Sequence, residues 1–162
     1  MSRTRSEYRR SLDVAPAASA RRSGSSAIVP ATSADQGALA LLLLDAYRGT
    51  IDDEGEGEAE ARQAIDNYLG RLLSAYSVVI EEDGQPVAMS FVVVVGGRHF
   101  IDPVATAAAR KGRGLGTEAV LHSLGALAGD GIADVGAVIT DGNVASERLF
   151  RRLGFARVGP WG

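Results

Sequence analysis

Three glycines at alternate positions, Gly112, Gly114 and Gly116, interrupt a segment that reads VATAAARKGRGLGTEAV over residues 104–120. The pattern predicts a strand, a glycine-rich turn and then a helix. Glycine removes side chains where a ligand approaches the backbone. Successive amides in such a turn, joined to a helix N-terminus, form a concave anion site that favours phosphate. Arg110, Lys111 and Arg113 add positive charge there, and Lys111 is the only lysine in the chain. Two common phosphate patterns are excluded. A triphosphate loop needs Lys and Ser or Thr directly after its last glycine, whereas Gly116 is followed by Thr117 and Glu118. The dinucleotide fingerprint fails on glycine spacing, and no parallel strand-helix-strand unit opens the chain. The plainer alternative is a glycine-rich turn that merely starts a helix.

A second concentration of chemistry lies in residues 47–60, YRGTIDDEGEGEAE, with Asp52, Asp53, Glu54, Glu56, Glu58 and Glu60. Such a cluster would attract a cationic amine. Its bland counterpart is a set of acids complementing the dipole of the next helix, at least for Glu56, Glu58 and Glu60. His99 and Asp102 fall in one predicted strand. Asp102 shares parity with Val104 and Thr106, and His99 faces the other side. The competing readings are a turn or bulge at Asp102 before Pro103 and a partly exposed strand position for His99. Two distant histidines and no cysteine offer no basis for a metal site, a disulfide or a thiol nucleophile.

The elements that must position these groups can be read from periodicity. Residues 27–31 make a short strand broken by Pro30. Helices are predicted over 35–47 and 58–73, the second weakened by Gly70. Strands over 77–82 and 86–95 are joined by the hairpin signal Asp83-Gly84, and Gly96-Gly97 leads into a strand over 98–106. The run 91–95 is apolar on both faces and reads as central. A helix over 114–129, a strand over 133–140, a helix over 144–153 capped by Asn143, and a short strand over 155–158 complete the chain. The expected class is α/β, an α+β mixed sheet, mostly antiparallel and twisted, with helices on both faces.

The 162 residues are 46% hydrophobic and 23% charged, which suits a folded domain rather than a disordered chain. The longest apolar runs, 38–44 and 91–95, fall well short of the ~18 residues of a membrane span, so no membrane association is expected. The net charge of −3 is uneven. Residues 1–26 hold six arginines against two acids, and the remainder holds 11 basic against 18 acidic side chains. Residues 1–26 therefore read as a disordered basic tail preceding a domain over 27–162. An acidic body argues against a nucleic-acid partner.

Downstream of the glycine turn, residues 141–155 read DGNVASERLFRRLGF. Together the two segments resemble the GNAT superfamily of acyl-CoA-dependent N-acetyltransferases. That family's pyrophosphate loop, (Gln/Arg)-x-x-Gly-x-(Gly/Ala), is matched by Lys111-Gly112-Arg113-Gly114-Leu115-Gly116, with Lys in the first place. Its later signature is matched by Asn143, Ser146, Leu149, Phe150, Gly154 and Phe155. The resemblance spans roughly residues 27–160. The family's usual final hairpin has room for about one strand only.

The resemblance implies a GNAT fold and acetyl-CoA as cofactor. It implies that the turn from Lys111 to Thr117 holds the diphosphate, with Leu115 seating the helix. Val104, Ala105 and Thr106 would pair with the pantetheine arm and supply an oxyanion N–H. Asn143, Ser146 and Phe150 would face the cofactor. The implied reaction is direct attack of an amine on the thioester, which needs a base and an acid. Asp102, His99, Asp52 and Asp53 are the candidate bases; Tyr47, Asp52, Asp53 and Glu54 border the acceptor. The family often has a Tyr acid where this chain has Phe150, so the thiolate leaves unassisted, or Tyr47 or Tyr76 substitutes, or the protein is a non-catalytic acyl-CoA-binding module. The expected protein is cytoplasmic and acts on a small, cationic molecule or a peptide; a homodimer is left open.

Overall fold

Alternating apolar side chains build one seven-stranded sheet. The computed structural model describes residues 3–13 and 26–162. The elements are β1 (Arg5–Ser11), β2 (Ser26–Pro30), α1 (Gln36–Tyr47), α2 (Glu58–Leu69), β3 (Val78–Glu82), β4 (Gln85–Val95), β5 (Arg98–Thr106), α3 (Leu115–Gly129), β6 (Asp134–Thr140), α4 (Val144–Arg152) and β7 (Ala156–Pro160). The strand order is β2-β3-β4-β5-β6-β1-β7. Every neighbouring pair is antiparallel except β5 and β6. The mixed, mostly antiparallel sheet is the class expected from the sequence.

The two faces carry separate cores. Leu39, Leu42 and Leu43 of α1 and Ile65 of α2 pack on Val79, Met89, Phe91 and Ala105. On the opposite face Val120, Leu124 and Leu127 of α3 pack on Val92, Ile101, Val135 and Ala137, with Phe150 of α4. β4 is buried on both sides from Val87 to Val93, so the apolar run 91–95 is central only as far as Val93, and Val94 and Val95 at the hairpin end are exposed. The Asp83-Gly84 and Gly96-Gly97 turns have positive φ at both residues, the geometry that tight hairpins need. α2 stops at Leu69, short of the predicted Leu73, because Gly70 ends it and the Leu73 amide turns to the Val92 carbonyl, 2.8 Å away.

The N-terminus corrects the sequence reading. Residues 5–11 are not a tail: they form β1, inserted between β6 and β7. Their composition hides a strand because Tyr8 is its only large apolar residue, yet Ser6, Tyr8 and the following Leu12 are buried. The arginines are engaged as well. Arg9 pairs with Glu7 and Asp134, and Arg10 donates to the Leu153 carbonyl at 2.8 Å. β7 reaches the sheet only through β1, with which it pairs antiparallel. The remaining tail residues, 1–2 and 14–25, lie outside the described residues.

β5 and β6 register at one pair, Phe100 with Gly136. A methyl group on Gly136 would sit 2.7 Å from Phe100 Cε1 and 2.5 Å from Arg9 Nη1. The Phe100 ring is fixed between the Trp161 ring, 5.2 Å away, and the Arg9 and Arg98 guanidiniums. Gly136→Ala should therefore destabilise the fold by about 1–3 kcal/mol, as overpacking does. A lower urea midpoint with an unchanged slope is the expected signature.

Candidate active site

The glycine turn is held rigidly from outside. After β5 the chain makes a short 3₁₀ turn, Ala108–Arg110. The Ala108 amide donates to Asp45 Oδ2 at 2.7 Å, and Arg110 Nε donates to Glu82 Oε2 at 2.7 Å. Lys111 Nζ donates to the Ala46 carbonyl at 2.7 Å, near the negative end of α1. Lys111 and Arg110, expected to charge the anion site, therefore anchor the turn, and Arg113 remains exposed.

Gly112 and Gly114 have φ of 83° and 78°, a conformation that L side chains rarely adopt. Gly116 is helical and needed for another reason. A methyl there would meet Thr106 Oγ1 at 3.0 Å and Leu149 Cδ1 at 3.2 Å, so its bareness lets α3 close on β5 and α4. Leu115 is buried against Ile80, Ala88 and Ala119, which seats the first turn of α3. The first helix-closing bond at this end runs from the Glu118 amide to the Gly114 carbonyl, 2.9 Å. Among the described residues the six amides of 112–117 have no acceptor. A run of unpartnered N–H groups at a helix start is the donor set that a diphosphate requires.

Beyond Phe100 the strands β5 and β6 are no longer in register, so among the described residues the C-terminal half of β5 has an edge without a partner strand. Val104, Ala105 and Thr106 lie on that half, paired on their other side with Ser90, Met89 and Ala88. The open edge leads directly to the glycine turn.

A bulge then redirects Asp102. Val92 pairs with Ile101 and Ser90 with Val104, so two residues of β5, Asp102 and Pro103, oppose Phe91 alone. The extra residue breaks the parity read from the sequence. Ile101 and Val104 both pack on the α3 face, whereas Asp102 reaches the α2 side. Its Oδ2 accepts from the Tyr68 hydroxyl at 3.2 Å. Asp102 thus does not share a face with Val104 and Thr106, contrary to the expectation.

The Asp102 carboxyl is pushed above its ordinary value by burial, against the pull of the Tyr68 hydroxyl and of Arg71 and Arg5. Burial and the nearby Asp102 charge also raise Tyr68 and Tyr47, so both phenols stay protonated. His99 is not part of this group. It lies on the other face, with its ring against Tyr76 at 6.3 Å, and the Tyr76 hydroxyl donates to Asp130 at 2.8 Å.

The acidic segment is largely spent on its own architecture. Asp52 accepts from Thr140 Oγ1 at 2.6 Å and from Asn143 Nδ2 at 2.8 Å, tying the α1–α2 loop to the end of β6 and the start of α4. Asp53 accepts from the Gly49 and Gly55 amides, both at 2.9 Å, and these bonds hold its carboxyl below the ordinary value. Glu54 meets Arg3 at 3.3 Å. Glu56 accepts from the Glu54 amide, Glu60 from the Gly57 amide, and Glu58 pairs with Arg62. Two expected bases, Asp52 and Asp53, are therefore loop braces in this geometry.

Comparison with known proteins fits this arrangement. The acetyltransferase (GNAT) family profile matches residues 39–155. The chain belongs to the acetyltransferase (GNAT) family. Acetyltransferases of this family use acetyl-CoA for acyl transfer. No curated protein matches the sequence. Among solved structures, a GCN5-related N-acetyltransferase from Sphaerobacter thermophilus superposes with a TM-score of 0.73 at 16% identity, covering 98% of this chain and 49% of its own. The ribosomal-protein-S18-alanine N-acetyltransferase from Escherichia coli gives 0.65 at 20% identity, covering 82% and 79%. A tandem GNAT protein from the clavulanic acid biosynthesis pathway gives 0.66 at 16% identity, covering 98% and 51%. The chain spans about half the length of the first two solved structures it matches. At these identities the likeness is one of fold.

In the GNAT frame, the last-helix position that often holds a Tyr is Phe150. It is 5% exposed and packs edge-on against Phe155, with ring centres 5.0 Å apart. It belongs to the core on the α3 face of the sheet and carries no hydroxyl. Asn143 caps α4 by accepting from the Ser146 amide at 3.2 Å while its other end holds Asp52. Through Asn143 the start of α4 is tied to the loop that follows Tyr47. No described helix is long and apolar enough to cross a membrane.

Two site residues escaped the sequence reading. Tyr68 reads as an inward apolar position of α2, and only the Asp102 bulge reveals its hydroxyl as a partner. Arg5 falls in the segment read as a tail. Ser6, Glu7 and Tyr8 are buried in succession, and a charged residue in that run with arginines on both sides left no apolar pattern to read.

Proposed function

We propose that the protein is an acetyl-CoA-dependent N-acetyltransferase that acts on a primary amine of a small molecule or peptide in the cytoplasm. The observation that carries this reading is the continuity of the six free amides of 112–117 with the unpaired edge of β5, which ends beside Asp102. The residues fit the cofactor. The turn's amides suit a diphosphate, exposed Arg113 adds charge, and Val104, Ala105 and Thr106 offer main-chain groups to the pantetheine amides. When bound, acetyl-CoA supplies the acetyl group as a thioester.

Asp102 serves as the base. Its raised carboxyl is closer in proton affinity to an amine than an exposed Asp would be, and it takes a proton from the acceptor nitrogen. Tyr68 orients it. The N–H groups of Val104 and Thr106, which alternate away from β4, would hold a developing oxyanion. Tyr47 and Tyr68, raised by burial, are poorer proton donors than free phenols. A thiolate, from a group whose ordinary pKa is near ~8.5, therefore leaves without a protein acid.

The second reading, an acyl-CoA-binding module without catalysis, is favoured by buried Phe150. Thiol release from acetyl-CoA across polyamines, aminoglycosides, amino acids and peptide amines separates the two. Amine-dependent release supports the transferase. Tight coenzyme A binding without release by any amine overturns it.

A further inference from the structure

The face of the sheet that carries Asp102 also carries an arginine, Arg5, whose side chain has no hydrogen-bond or ion-pair partner among the described residues. Arg5 pairs in register with Thr140 across β1 and β6, so their side chains project to one side. Thr140 reaches Asp52 in the α1–α2 loop on that side, and Asp102 reaches Tyr68 of α2 there too. Arg5 and Asp102 are therefore on the same face, two strand spacings or roughly 10 Å apart along the sheet, and more where β5 and β6 diverge.

The Arg5 backbone is fixed, since its carbonyl accepts from the Trp161 amide at 2.9 Å. Its guanidinium is exposed and has no hydrogen-bond or ion-pair partner among the described residues. It lines an open cleft of about 900 Å³ with Arg3, Glu54, Asp141, Arg157 and Trp161. The two acids of that cleft are already engaged. Glu54 meets Arg3, and Asp141 accepts from the Ser6 hydroxyl at 2.6 Å. Arg157 leans on the same Ser6 hydroxyl rather than on a carboxylate in direct contact. The cleft consequently offers guanidinium donors without a matching acceptor, a geometry suited to a planar carboxylate. Arg71 repeats the theme nearer Asp102: it lies 5.0 Å over the Tyr68 ring and forms no ion pair among the described residues.

We propose that this cleft binds a carboxylate through Arg5, so that the acceptor is an amine that also carries a carboxylate group. The amine end would lie at Asp102 and the carboxylate at Arg5. This deepens the transferase reading and rests on it for the amine; the carboxylate subsite rests on the cleft alone. It replaces a simple cationic acceptor, because the acidic loop that would have drawn one is internally satisfied.

Trp161 is the only tryptophan in the chain and lines the cleft, so its fluorescence reports occupancy there. The coenzyme A-loaded protein is titrated with unbranched amino acids of increasing amine-to-carboxylate distance and with their primary amides. At least one acid should give a saturable change and bind about 10-fold or more tightly than its amide, as expected for a charge-assisted contact. Arg5→Met should erase that preference, and Arg5→Lys should keep part of it. Equal binding of acids and amides, no saturable binding of any acid, or a preference undiminished in Arg5→Met overturns the proposal. The readout does not need turnover. Absence of thiol release with the carboxylate preference intact would sink the transferase reading and leave the subsite standing.

Discussion

An Asp102→Asn protein should bind coenzyme A as the native chain does and turn over its acceptor at least ~100-fold more slowly, the usual loss when a positioned base is removed. Asn keeps the size of the side chain and can still accept from Tyr68, so the packing of α2 on β5 survives. What it loses is the ability to take a proton. The native pH profile of kcat/KM should rise as pH climbs through the Asp102 titration, above the ordinary carboxylate value, and the variant should lack that limb.

The same substitution has a stability signature of known sign. A carboxyl whose folded pKa is raised holds its proton more tightly in the folded than in the unfolded state. Its favourable contribution is complete below the unfolded pKa and is lost as pH rises through the folded one. Above its folded titration the native fold carries a charged, poorly solvated Asp102 that Asn does not impose. Asp102→Asn should gain melting temperature over the native protein as pH rises through the Asp102 titration, and the gap should close in acid. A variant that is less active and also less stable than the native protein across the whole pH range would make Asp102 a structural residue.

The second large effect is expected at the glycine turn. Gly114 stands at φ 78° with open space around its missing Cβ, so the barrier to substitution is conformational rather than steric. Valine is poorly tolerated there and would swing the amides of Gly114 and Leu115 out of line. Gly114→Val should lower coenzyme A affinity by about 100-fold or more, equivalent to ~2.7 kcal/mol. Gly116→Ala makes the informative contrast. Its methyl presses on Thr106 and Leu149, so the loss should appear in thermal stability before affinity. Calorimetric titration of both variants beside melting curves separates the two glycines. Comparable affinities for native and Gly114→Val would mean that the turn does not hold the diphosphate.

Much of this was legible in the sequence, and the exceptions share a cause. Period-two and helical patterns located every strand from Ser26 onward and all four helices, and the spacing from Lys111 to Gly116 marked the turn that the fold leaves unpartnered. What failed was inference about side-chain direction and partners. One extra residue at Asp102-Pro103 reversed the parity of β5, and no pattern of residue types announces such a bulge. The basic N-terminal segment and acidic body suggested separable parts. They are joined instead by contacts such as Arg3 with Glu54 and Arg9 with Asp134. Charge composition is blind to pairing across 51 or 125 positions. The carboxylates of the α1–α2 loop were countable in the sequence, but their acceptor capacity was already committed to Thr140, Asn143 and the loop's own amides.

Addition of coenzyme A to the isotope-labelled chain, followed through backbone amide resonances, addresses the anion-binding turn most directly. The amides of residues 112–117 should show the largest shifts, and pantetheine, which lacks the diphosphate, should leave them in place. Coenzyme A that binds while those six resonances stay still would contradict the assignment of the turn and the site built from it.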